Sequence, residues 1–175
     1  MVTTENGSLR DMARRIEHRT TSRWPARDVY AALVDQTYLR DRLAELGGTN
    51  PELVAFTTTD QSTSYQLKQG VPADRLPSVA RGLLGGDLVI DRAESWTEAG
   101  HTGTVEVTLN GVPGRLDGTI TLADTASGSE LTLTGQVKVS IPIMGGKLEA
   151  MIVEQVSLLL DKESEFTAEW LARRA

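Results

Sequence analysis

The chain has 175 residues, 39% of them hydrophobic and 24% charged, which suits one globular domain burying roughly two thirds of its unfolded surface. Its formal charge of -6 opposes non-specific attraction to nucleic acid or anionic lipid, and the lack of cysteine excludes disulfides, thiolate nucleophiles and cysteine-based metal sites. The start has no apolar core of the signal-peptide kind and no run approaches the ~20 apolar residues of a membrane span, so the expectation is a soluble, cytoplasmic protein without stable membrane insertion.

Residues 1–11 are polar and patternless and are expected to form a disordered extension ahead of a domain at 12–175. From Arg14 to Ser22 the chain alternates, with Ile16, His18 and Thr20 on one side and Arg15, Glu17 and Arg19 on the other, which predicts a strand with one wet face. At Trp24-Pro25 the period changes. Val29 and Leu33 share a helical face, and proline suits the first turn. A second short helix is predicted near Thr37 to Leu46, stopping at Gly47-Gly48. Six strand-like runs follow, Glu52 to Thr59, Thr63 to Gly70, Asp87 to Thr97, Thr102 to Asn110, Arg115 to Ala123 and Glu130 to Ile141, separated by turn residues such as Asn110-Gly111-Val112-Pro113-Gly114. Only Val71 to Gly86 breaks the hairpin rhythm. It carries two prolines and an apolar tip, Leu83-Leu84, and reads either as a lid or as a plain surface connection. The last element is a long amphipathic helix, roughly Ile143 to Ala172. One face carries Met144, Leu148, Met151, Ile152, Val156, Leu159, Phe166 and Trp170, while Lys147, Glu154, Asp161, Glu165 and Glu169 gather opposite.

The order is strand, two short helices, six antiparallel strands and one long helix, with the segment Trp24-Pro25-Ala26-Arg27-Asp28-Val29-Tyr30-Ala31-Ala32-Leu33-Val34-Asp35 at its opening. This resembles the START-like, or SRPBCC, superfamily of polyketide cyclase and lipid-transfer proteins, whose opening runs Pro-Ala-x-x-Val-(Tyr/Phe)-x-x-Leu-x-Asp. The Asp35-x-x-Tyr38 step and the long lid look like a bacterial branch known only as a domain of unknown function, DUF2505-like. The resemblance implies an α+β helix-grip fold, a curved antiparallel sheet of six to seven strands around the long C-terminal helix, with a hollow between them. It also makes lipid, polyketide or isoprenoid-like compounds the natural guests. Where many members carry a Trp-rich stretch after the second helix, this chain has Arg40-Asp41-Arg42-Leu43-Ala44-Glu45, a departure that puts any activity tied to that stretch in doubt.

Chemistry-bearing motifs are sparse. His18 and His101 lie on different predicted strands without ligand-spaced neighbours, so no metal and no cofactor is expected; His18 shares the face of Ile16, which turns toward the hollow. No Gly-x-Ser-x-Gly elbow occurs, and Gly145-Gly146-Lys147 lacks the upstream glycine of a phosphate loop, so it reads as a swing into the last helix. Asp91 and Glu94 read as a solvated pair of carboxylates. Yet Arg92 and Glu94 are also in register with Leu88, Ile90 and Trp96, so either they form an inward ion pair or Val89 and Ala93 point inward instead. Gln155 falls on the helix's apolar face between Met151 and Leu159, where a buried amide needs a partner. The predicted ligand-binding set is Gln155, Met144, Leu148, Met151, Ile152, Leu159, Leu83, Leu84, Trp96 and His18, with no catalytic residue. The leading expectation is a binder of a hydrophobic or amphipathic small molecule; a polyketide cyclase or dehydratase and an interaction module without ligand stay open beside it. The oligomeric state is not specified by the sequence.

Overall fold

The structure, a computed structural model, describes residues 13–175; the extension expected at 1–11 lies outside them. Seven strands form one sheet: β1 (Arg14–Ser22), β2 (Glu52–Thr58), β3 (Ser62–Val71), β4 (Leu88–Thr97), β5 (Thr102–Leu109), β6 (Gly114–Thr125) and β7 (Gly128–Val139). Their order is β1-β7-β6-β5-β4-β3-β2, and every neighbouring pair is antiparallel. Among the described residues, four α-helices accompany the sheet: α1 (Ala26–Leu33), α2 (Gln36–Leu46), α3 (Ser78–Leu84) and α4 (Gly145–Arg174).

Local chemistry sets the boundaries. Pro25 cannot cap α1 with a side chain, and Asp124 at the end of β6 does so instead, its Oδ1 accepting from Ala26 N at 2.8 Å. Asp35 caps α2 by accepting from Tyr38 N at 2.9 Å. The left-handed residue after α2 is Gly48, at φ 72°, where a Cβ would lie 1.8 Å from Gly70 O. Only glycine fits there, and the bridge to Gly70 ties α2 to β3. Helix α4 starts two residues later than the apolar pattern predicts because Ile143 adopts φ 70° and stands 98% exposed. A β-branched residue rarely takes that conformation, and it ends the approach from β7. Gly145 then passes so close to β7 that a Cβ would sit 2.5 Å from Val139 O. Glu149, on the first turns of α4, accepts from Val139 N at 2.9 Å and fixes the helix against the end of the strand.

The two halves of α4 do different work. Its C-terminal half is seated in the core: Phe166 and Trp170 surround Tyr38 with ring centroids 5.7 and 5.3 Å away. Trp170 Nε1 donates to Asp41 at 3.0 Å, and Trp24 Nε1 donates to Ala168 O at 3.2 Å. Its N-terminal half spans the concave face of the sheet without filling it. Leu148 is buried, but Met151, Ile152, Val156 and Leu159 are only partly so. Among the described residues, no helix is long and apolar enough to cross a membrane.

Candidate functional site

The space under the first half of α4 is an apolar cavity of about 180 Å³. Leu148, Met151, Ile152, Val156, Leu159 and Leu160 line it from the helix, and Ile90, Val105, Val107, Leu109, Leu116 and Leu133 line it from the sheet. Its third wall is the long connection between β3 and β4. There Leu76 and Pro77, just ahead of α3, and Ala80, Leu83 and Leu84 on it lie over the opening, with Leu76 and Ala80 buried and Leu83 exposed. The tip of this lid rests on the β5–β6 turn, where a Cβ on Gly111 would lie 3.3 Å from Leu84 Cδ2. Gly85 ends α3 in the left-handed conformation at φ 64°, and Asp87 holds the lid's other end by accepting from Ala73 N at 2.8 Å.

Arg92, Ile120 and Leu160 also border a second chamber of about 40 Å³, deeper along the helix and polar on one side. Here Arg92 and Glu94 face inward from β4, so the first of the two readings of that strand holds, and Glu94 is buried rather than solvated. Glu163 of α4 meets Arg92 as a fork, with Arg92 Nη1 donating to Oε2 at 2.8 Å and Nη2 to Oε1 at 3.1 Å. Arg92 Nε lies 2.8 Å from Glu94 Oε2, a close ionic contact without hydrogen-bond alignment. Arg42 of α2 stands behind Glu163 with its Nε 3.6 Å from Oε2. These four side chains are between 2% and 8% exposed.

Burial alone would push the Glu163 carboxyl up, but the Arg42 and Arg92 guanidiniums outweigh it and hold the group below the usual carboxylate range. Burial likewise works against both arginine charges. Glu163 beside each, and Glu94 beside Arg92, raise them instead. Tyr65, whose hydroxyl accepts from Trp96 Nε1 at 3.2 Å, is pushed well above its ordinary value by burial and then by the charge of Glu94. Tyr38 is raised mainly by burial and shares a 2.6 Å hydrogen bond with Thr167. The quartet is thus two fixed cations and two carboxylates whose charges cancel. Among the described residues, no group of three or more histidines or carboxylates could hold a metal ion.

Of the residues predicted from sequence, Leu148, Met151, Ile152, Leu159, Leu83, Leu84 and Gln155 come together around the main cavity, and Trp96 joins the polar chamber. The expected buried amide is corrected: Gln155 lines the cavity but is exposed, because α4 there runs along the opening. Met144 precedes the helix and lines neither space, so it does not stand above Met151 on the cavity face. His18 lines neither space either. It points toward α4 and is engaged at the rim by Asp161, Nε2 to Oδ1 at 2.7 Å. Sequence reasoning missed Arg42 and Glu163.

Solved structures share this architecture. TTHA0849 from Thermus thermophilus matches with TM-score 0.63 at 16% identity, covering 93% of this chain and 99% of that one. The Zhui aromatase/cyclase from Streptomyces sp. R1128 matches with TM-score 0.58 at 12% identity, covering 93% and 96%. In sequence, the uncharacterized protein Rv0481c of Mycobacterium tuberculosis is 30% identical over 154 residues, 82% of this chain and 88% of that protein. With a helix-grip, START-like fold on the page and a family model matching residues 17–171, the chain belongs to the family described as protein of unknown function (DUF2505).

Proposed function

We propose that the protein binds a small hydrophobic or amphipathic molecule between α4, the concave sheet and the lid. The observation that carries this reading is the cavity of about 180 Å³, walled by aliphatic side chains from three separate parts of the chain and ending in buried polar groups. A fold that only needed a core would close such a space, since each unfilled methyl-sized void forfeits packing energy. Binding would draw on desolvation of the guest's apolar body, at roughly 25 cal/mol per Å² removed from water, with the polar chamber orienting one end. The volume slightly exceeds the roughly 150 Å³ that admits a benzene ring. One or two rings, or a short chain, fit the closed form, and larger lipid or isoprenoid-like guests would require α3 to lift.

The alternative of a cyclase or dehydratase has less support. The carboxylates lining the two spaces are Glu94 and Glu163, and Glu163 is held ionised by two arginines, which makes it a weak base. Fluorescence titration with the neutral dye N-phenyl-1-naphthylamine tests the binding reading. The wild type should saturate at one dye per chain, and Val156→Trp, which fills the cavity, should abolish the signal while the fold is retained. Equal uptake by Val156→Trp would defeat it. Native mass spectrometry of protein purified without lipid stripping would then give the mass of a retained guest.

A further inference from the structure

Resting on that reading of the cavity, we infer that the guest is an uncharged molecule with a small hydroxyl or carbonyl group at its buried end, and that carboxylates are excluded. The charges at that end already cancel, Arg42 and Arg92 against Glu94 and Glu163. Arg92 is the cation that lines both spaces, and its charge is already matched: each Nη donates to Glu163 and Nε faces Glu94. Arg42 lines neither space. An ionised acid at that end would therefore be a fifth buried charge: Arg75 and Arg115 line the main cavity but not the chamber, and the unpartnered Nε and Nη2 of Arg42 lie behind Glu163.

The same chamber is short of hydrogen bonds. Glu94 Oε2 and Ser129 Oγ are both buried without a hydrogen-bond partner, and both residues line it. The first, in ionic contact with Arg92 Nε, keeps a lone pair that can accept from a hydroxyl, and the second can donate to a carbonyl or accept from a hydroxyl. At about 40 Å³ the chamber admits a group of a few heavy atoms at most. That end therefore suits neither a phosphodiester or sugar head, on size, nor the ionised head of a fatty acid, on charge. What fits is an apolar body of one or two rings carrying a small neutral polar group.

Isothermal titration at neutral pH with 2-naphthol, 2-naphthoate and naphthalene tests this, since the three share one ring system and differ at one position. The alcohol should bind at least about tenfold more tightly than the ionised acid, a difference of about 1.4 kcal/mol, and more tightly than naphthalene. An acid that binds as well as the alcohol overturns the inference and leaves the cavity reading standing. So does naphthalene matching the alcohol, or failure of all three in protein that still takes the dye. Failure of the dye as well removes both. Glu94→Gln leaves the cluster one positive charge in excess and should strengthen naphthoate binding at least about tenfold; an unchanged naphthoate affinity in that variant denies charge balance as the cause. Should Glu94→Gln not fold, the wild-type ratio of alcohol to acid decides alone.

Discussion

Replacing Glu163 with leucine should cost about 3 to 5 kcal/mol of stability, because it breaks a buried ion pair by removing one partner only. The carboxylate takes both Nη atoms of Arg92, at 2.8 and 3.1 Å, and faces Arg42 Nε at 3.6 Å. Leucine fills most of the volume and none of the charge, leaving two buried guanidiniums against Glu94. The loss is a large share of the roughly 5 to 15 kcal/mol that holds a domain together. The double variant Arg42→Met, Glu163→Leu removes one charge of each sign and keeps Arg92 against Glu94 at 2.8 Å. It should recover about 2 kcal/mol relative to Glu163→Leu alone, a coupling typical of groups in one network. Urea unfolding followed by the fluorescence of Trp96 and Trp170, both buried, reads all three proteins. A loss below about 1 kcal/mol for Glu163→Leu, or a double variant no more stable than that single one, would refute the account of the quartet.

The folded Glu163 carboxyl lies below its ordinary value of 4.5, so its contribution is complete above that value and fades as pH falls through the lower folded one. The stability gap between wild type and Glu163→Leu should accordingly narrow under acid, and a gap constant with pH contradicts this. In the lid, neither Gly82 nor Gly85 has an atom within 4 Å of a built Cβ, but only Gly85 has positive φ. Gly82→Ala should gain about 0.5 to 1 kcal/mol of local helix stability and slow amide exchange over residues 76–86, whereas Gly85→Ala should lose about 1 kcal/mol and speed it. Matching exchange rates in the two variants would show that backbone conformation does not govern the lid. At the entry to α4, Gly145→Ala must displace the chain from Val139 O and should cost about 1 to 3 kcal/mol, while Gly146→Ala, with open space, should be neutral or stabilising. Thermal melts of the pair check it, and equal melting temperatures would count against the close approach.

Much of the architecture is written in local pattern. The alternation from Arg14 to Ser22 is β1 residue for residue, and the six later runs become β2 to β7 with ends moved by a residue or two. The hollow was legible too, since a stripe of Leu, Met, Ile and Val on one helix calls for a broad partner. The charged quartet was not, because its members come from α2, β4 and α4 and meet only in the folded chain. A signal for two of them existed. Arg42 falls four residues after Tyr38, and Glu163 falls four after Leu159 and three before Phe166, so both sit on buried faces where a charge is out of place. Neither was singled out, and the site was missed. Gln155 fails in the opposite sense: it shares a face with Ile152 and Leu159, yet that face borders an opening rather than a packed layer. Periodicity reports which side of a helix turns inward, not whether anything waits there. The segment at Arg40 to Glu45, which departs from the resembled superfamily, supplies Arg42 to the quartet and Asp41 to Trp170.

Strands β1 and β2 are joined only through α1 and α2, yet they stand at opposite edges of the sheet, and β1 pairs with β7, Ile16 opposite Gly135. As the chain emerges during synthesis, β2 to β7 can add as successive hairpins while β1 waits for the last strand, a pairing of long range that slows folding. The exposed Arg15, Glu17 and Arg19 give the waiting strand a charged outer face that discourages pairing with another chain. Helix α4 arrives later still. Until it docks, the apolar inner face of the sheet is open water-facing surface and the lid has nothing to close against. On the proposed function, a guest that reached the sheet in that interval would be enclosed without passing α3, so loading of the nascent chain and of the finished protein would follow different routes.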